Sequence, residues 1–166
     1  MDATTFLALA LACAPQVHLD TARAIVSVES SFNPYAIGVV GGALYRQPRT
    51  RAEALATIEA LQANGWNYSV GLGQINVGNF ERLGLTPHSA LDPCTSLAAM
   101  QSVLGECYAR AASNHAAQNA LRFALSCYYS GNFTTGLRHG YVGKVVRASA
   151  SAPAAGSDLP NRKERS

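Results

Sequence analysis

Charge is scarce in this sequence: 14% of its 166 residues are Asp, Glu, Lys or Arg, against 48% hydrophobic ones. That balance excludes a disordered chain and a charge-laced coiled coil. The net charge of +3 is too small, and too poorly clustered, for a nucleic-acid reader, so no nucleic-acid partner is expected. Six of the 13 basic residues (Arg138, Lys144, Arg147, Arg162, Lys163 and Arg165) fall near the C-terminal end, which leaves the body almost neutral. Long apolar runs are missing too. A membrane span needs roughly 18–20 residues, and none is expected here. The stretch FLALALACA, Phe6 to Ala14, has Asp2 before it in place of the basic lead of an export signal. Cys13 behind LALA has the look of a lipoprotein cleavage site, but a buried first helix is the better reading. There are no internal repeats and no CxxC spacing, and His18, His88, His115 and His139 are scattered. No zinc site, other metal or cofactor is expected.

What is abundant is alanine, the best helix former. The length suits one domain with a real core. Strand-like alternation never persists, so the expected fold class is mainly α. A first helix runs from about Thr4 to Cys13 and stops at Pro15. A second starts on Asp20 as N-cap and ends near Ser31, before Asn33-Pro34. The glycine-rich stretch that follows has room for a short hairpin at 37–45. Thr50 and Glu53 form a capping box for a third helix that Gly65 ends. After the polar and aromatic loop GWNYSVGLGQIN comes a short helix from Val77 to Leu83. Asp92 and Pro93 open a long helix to about Ala112. Another spans about Ala116 to Tyr129, and a last one Tyr141 to Arg147. The domain is expected over residues 1–148. Residues 149–166 read as a disordered low-complexity tail.

Glu29 is the most informative residue. At ~100° per residue it projects with Ala22, Ile25, Val26 and Phe32, while Arg23, Ser27 and Ser30 point elsewhere. An acid inside an apolar stripe loses hydration, which raises its pKa. A carboxylic acid that stays protonated near neutral pH can act as a general acid. The other reading is open: an acid at the stripe's margin that reaches solvent or pairs with an arginine. Three motifs accompany it. ESSFNPYAIG carries the acid, with Ser30 and Tyr35 behind it. SVGLGQIN offers Ser69, Gly71, Leu72, Gln74 and Asn76. CYYSGNF places Tyr128, Tyr129 and Asn132 at a helix end. Amides and aromatic rings with polar tips suit a sugar cleft, because sugars present hydroxyl edges and apolar faces.

These motifs, in this order and spacing over about Phe6 to Val146, resemble the lytic transglycosylases of the lysozyme superfamily. With VVGGALYRQPR inserted between the first two, the chain is most similar to the transglycosylase subunit of type IV secretion systems. The resemblance implies a lysozyme-like, goose-type helical domain with a cleft. It implies Glu29 as the single catalytic acid, Gln74 lining the cleft and Tyr129 closing over the reacting sugar. Gly38 stands where the broader family often has serine, Gly73 where methionine is common, and Tyr129 is followed by SGN in place of NAG. The implied substrate is the peptidoglycan glycan strand, cleaved between N-acetylmuramic acid and N-acetylglucosamine with formation of a 1,6-anhydro ring. Other secretion-system subunits are implied partners of a periplasmic monomer whose export signal is atypical or outside this chain. The alternatives are a hydrolytic muramidase and a non-catalytic peptidoglycan-binding assembly module. Ordinary glycosidases need two carboxylates. Among Asp20, Glu53, Glu59, Glu81, Asp92 and Glu106 none has a clear claim to the second role, and Glu81 is the least excluded.

Cys94 and Cys107, 13 residues apart on one helix, would be about 20 Å apart at 1.5 Å per residue, beyond the roughly 7 Å limit for a disulfide. In the hairpin of the last two long helices Cys107 and Cys127 come nearest, so the expected pairing is Cys107–Cys127 with Cys13–Cys94. The alternative is four buried free thiols, which a reducing compartment would require.

Overall fold

Leu97, Met100, Leu104, Cys107 and Ala111 recur at helical spacing, and all five are buried along one face of the longest helix. The computed structural model describes residues 1–113 and 116–151. That helix, α6 (Pro93–Ala112), opens as its sequence predicts: the Asp92 carboxylate accepts from the Thr95 N–H, and Pro93 takes the first turn. It packs along α7 (Ala117–Ser130), and α1 (Ala3–Cys13) packs on α6. Both expected disulfides are formed. Cys13–Cys94 ties α1 to the start of α6, and Cys107–Cys127 ties α6 to α7, with Cα atoms 5.3 and 5.7 Å apart. On another side α2 (Leu19–Ser30) lies against α9 (Tyr141–Ala150). Ile25, Leu97 and Met100 are fully buried, each contributing roughly 1.5–3 kcal/mol by removal from water.

A three-stranded antiparallel sheet faces these helices. Strands β1 (Ile37–Val39), β2 (Tyr68–Val70) and β3 (Ile75–Asn76) lie in that order, with Ile37 opposite Val70, Val39 opposite Tyr68, and Ser69 opposite Asn76. The hairpin expected at 37–45 is therefore not present; β1 finds its partner beyond α3 (Arg51–Ala63). The reason lies on the other edge of β1. The Gln47 side chain accepts from the Ile37 N–H at 2.8 Å and donates to the Ile37 carbonyl at 2.9 Å. One amide thus stands where a returning strand would pair, and it blunts the sheet edge.

Smaller corrections follow the same local logic. Asp20 is not the cap of α2: His18 Nδ1 accepts from the Asp20 N–H, and Asp20 sits in the first turn paired with Arg23. At α3 Thr50 accepts from the Glu53 N–H as expected. The reciprocal bond is not made, because the Glu53 carboxylate is taken by the Arg49 N–H and the Arg46 guanidinium. The segment from Val77 begins as a 3-10 turn, Val77–Asn79, before α4 (Phe80–Leu83). Two four-residue helices, α5 (Pro87–Ala90) and α8 (Thr135–Arg138), were not foreseen, since a single turn leaves no periodicity to read. The last helix continues past Arg147 to Ala150. Beyond Ser151 the expected tail lies outside the described residues.

Candidate active site

Glu29 is the penultimate residue of α2, and the backbone reverses just behind it. Ser31 and Phe32 both take left-handed φ values, 49° and 61°, a conformation that non-glycine residues adopt at some strain. The Phe32 ring meets Phe6 edge-on at 5.2 Å. Its place near the acid's stripe is thus set by this reversal and not by the helix. Ser30 does not point outward as the helical wheel predicts: it is 8% exposed, and its Oγ donates to the Val26 carbonyl.

The acid opens onto a cavity of about 500 Å³. Ser69, Gln74, Asn76, Tyr128 and Tyr129 line that cavity with it, so residues from all three sequence motifs meet there. Ser30, Tyr35, Gly71, Leu72 and Asn132 stand outside the lining. Leu72 is fully buried core. Gly71, at φ +80°, has no room for a side chain, since a Cβ would lie 2.6 Å from the Ala90 carbonyl oxygen. Asn132 Oδ1 accepts from the Thr134 and Thr135 N–H groups and so starts α8. The Tyr35 N–H donates to Asn33 Oδ1 in the turn after α2.

Within the cavity most polar atoms already have partners. Gln74 adopts φ 49°, and its Nε2 donates to the carbonyls of Ala36 and Gly71 at 2.9 and 3.1 Å. Its Oε1 then fills the space beside Gly38, where a Cβ would come within 2.7 Å of it. That is a physical reason for glycine at 38. Asn76 Nδ2 is shared among Asn67, Tyr68 and Ser69, and its Oδ1 accepts from the Gly78 N–H. The Tyr128 hydroxyl donates to the Gly73 carbonyl at 2.5 Å. A Cβ on Gly73 would stand 2.9 Å from that hydroxyl.

Burial pushes the Glu29 carboxyl up to about 7, and the hydroxyl of Tyr141, donating to Oε1 at 2.5 Å, pulls the other way. Burial and the neighbouring Glu29 raise both Tyr128 and Tyr141 well above the ordinary tyrosine value, so each hydroxyl keeps its proton and can donate it in a hydrogen bond. The Tyr141 ring stacks on Tyr129 at 4.7 Å and 21°, and the half-exposed Tyr129 carries that stack to the surface. Tyr141 was missed by sequence reasoning. At the head of an apolar helix face with Val142 and Val145, it reads as plain core. Also missed were the cavity-lining Gly38, Val39, Val40, Asn79 and Ser130. Replacing Tyr141 with Phe removes the bond that favours the charged acid. The Glu29 titration, followed by NMR of labelled carboxyl carbon, should move upward by about one unit, the scale of a hydrogen bond to a charged group. An unmoved midpoint would show that the hydroxyl does not act on the acid.

Among the described residues Glu29 is the one acid lining the cavity. Glu106 pairs with Arg82, Glu53 with Arg46, Asp92 caps α6, and Glu59 and Glu81 are exposed. No cluster of three His, Cys, Asp or Glu among the described residues is placed to hold a metal ion.

A mainly helical domain with a small antiparallel sheet and, among the described residues, one half-buried acid lining its cavity is lysozyme-like in architecture. More narrowly, the profile of the transglycosylase SLT domain matches residues 6–147, and the chain belongs to that family. It is 49% identical over 151 residues to the type IV secretion system protein virB1 of Brucella abortus (strain 2308), covering 87% of this chain and 63% of that one. It is 42% identical over 139 residues to protein virB1 of Agrobacterium fabrum, covering 82% of this chain and 56% of that one. The chain thus spans about three-fifths of the length of the curated relatives it matches. No solved structure matches it.

Proposed function

We propose that this chain is the catalytic domain of a peptidoglycan lytic transglycosylase that opens the cell wall locally for a type IV secretion apparatus. The observation that carries this reading is a single half-neutral acid in a cavity with no second carboxylate among the described residues. Protonated Glu29 gives its proton to the oxygen between N-acetylmuramic acid C1 and the leaving N-acetylglucosamine, and that C–O bond breaks. The resulting carboxylate takes the proton of the sugar's own C6 hydroxyl as O6 bonds to C1, closing the 1,6-anhydro ring. Atoms balance without water. Because the nucleophile is part of the substrate, no second carboxylate has to activate one, and the reacting groups start close together.

Gln74 and Ser69 form the floor against which the sugar is held, and Tyr129 covers it. The Brucella abortus relative is named as a type IV secretion system protein, and this supports the assignment to wall opening during assembly. Work on peptidoglycan places the domain outside the inner membrane, and two disulfides suit an oxidising compartment. Among the described residues no helix is long and apolar enough to cross a membrane. Digestion of purified sacculi followed by mass spectrometry tests the reading. The expected muropeptides are one water lighter than hydrolytic products. Products with reducing ends would make the domain a muramidase, and no release at all would make it a binding module.

A further inference from the structure

Tyr129 lines the cavity while standing half-exposed, and two residues of a single turn grip its ring. Tyr141 stacks on its face, and the exposed His139 meets its edge, with ring centroids 6.0 Å apart at 79°. His139 Nδ1 lies 3.4 Å from the Tyr129 hydroxyl. That nitrogen serves in either tautomer, accepting from the hydroxyl or donating to it. Small residues build this grip. Gly136 in α8 sits so close to α7 that a Cβ would lie 2.7 Å from Ser126 Cα, and its N–H donates to Ser126 Oγ at 2.9 Å. One turn on from that contact in each helix, Tyr129 and His139 meet. Gly140, at φ +75°, then turns the chain between α8 and α9, a conformation that favours glycine. The turn sends Tyr141 inward to Glu29 and leaves His139 at the edge of the same Tyr129 ring.

We propose that His139 is a positioning residue for glycan cleavage: it holds the Tyr129 ring against Tyr141, in the place from which that ring covers the sugar. This rests on the transglycosylase reading. His139 stands outside the cavity lining, so it acts through Tyr129. A half-exposed ring held on one face alone is free to swing toward solvent, and substrate binding then has to supply the cost of ordering it. The contact at the edge fixes the ring before substrate arrives. The bond from Tyr141 to Glu29 does not involve the imidazole, so the effect falls on binding and not on proton transfer.

Kinetics on soluble glycan strands test this. His139→Ala should raise KM about five-fold, the scale of one side-chain hydrogen bond, and change kcat less than about two-fold. His139→Asn, whose amide reaches the place of Nδ1, should restore most of the loss, and His139→Leu none of it. In a Tyr129→Phe chain, where the bond is already absent, His139→Ala should raise KM by less than about two-fold more. A merely structural role would add its full effect there. NMR of ring-labelled tyrosine gives a readout that needs no activity: the Tyr129 signal, identified by its loss in Tyr129→Phe, should move in His139→Ala. An unchanged KM, an equal rise in both backgrounds, or a Tyr129 signal that stays in place overturns the assignment. An unmodified chain that cleaves no glycan instead overturns the reading beneath it.

Discussion

Glu29→Gln is expected to abolish glycan cleavage and to leave the fold intact. The loss should be at least a thousand-fold, within the range a general acid supplies, because glutamine has no proton to give. The replacement is nearly isosteric, and its amide oxygen still accepts from Tyr141 at the position Oε1 holds now. The same variant carries a stability signature. The native carboxyl titrates near 7, above its unfolded value of 4.5. Between those pH values the folded chain holds the proton more tightly than the unfolded one, so stability falls as pH rises. The acid's contribution is whole below the unfolded value and lost as pH passes through about 7. Glutamine never ionises. Above pH 7 the variant should be more stable than the parent, by up to about 3 kcal/mol, the gain fading toward pH 4.5. Denaturant melts at pH 5 and pH 8 measure this, alongside zymograms on purified sacculi. A variant that clears peptidoglycan at the parent's rate would remove Glu29 from the mechanism. One that gains nothing at pH 8 would show that the acid is not buried enough to be tuned.

Opening the Cys13–Cys94 bridge gives the second large effect, on stability alone. That bridge closes a loop with a sequence separation of 81. On the chain-entropy estimate its removal should cost about 4 kcal/mol, equivalent to a Tm drop of roughly 10 °C for a domain of this size. Neither cysteine lines the cavity, and Cys94 lies at the surface, so a Cys13→Ser, Cys94→Ser double variant creates no buried orphan. Cleavage at 20 °C should stay near the parent's rate while the calorimetric transition moves down. A transition shifted by less than 2 °C would mean that α1 is held to α6 by packing alone.

What could be read from the sequence was local. Asp92-Pro93 and a run of apolar residues at helical spacing fix α6 without outside help. Helix rise forbids the nearest cysteine pair, and the expected hairpin of the last two long helices, which favours Cys107–Cys127, chooses between the two pairings that remain. Glu29 stood out as an acid on an apolar face. What escaped was made by distant partners. The Glu29–Tyr141 bond spans 112 residues, and nothing near Tyr141 distinguishes it from core. The sheet escaped because Gln47, a side chain, replaces the strand that a local hairpin would need. Among the motif residues, Gly71, Leu72 and Asn132 sit in the right stretches but face inward or hold turns. A motif does not say which of its side chains face the cavity.

The two sides of the cavity differ in how the chain assembles them. Glu29, Tyr129 and Tyr141 converge from three helices far apart in sequence, whereas β1 through Asn79 is one uninterrupted stretch. Substitutions within residues 37–79 that face the cavity change its sheet side alone, and leave in place the helices that carry Glu29, Tyr129 and Tyr141. On the transglycosylase reading, the grip on the substrate and the acid that cleaves it therefore answer to separate parts of the chain.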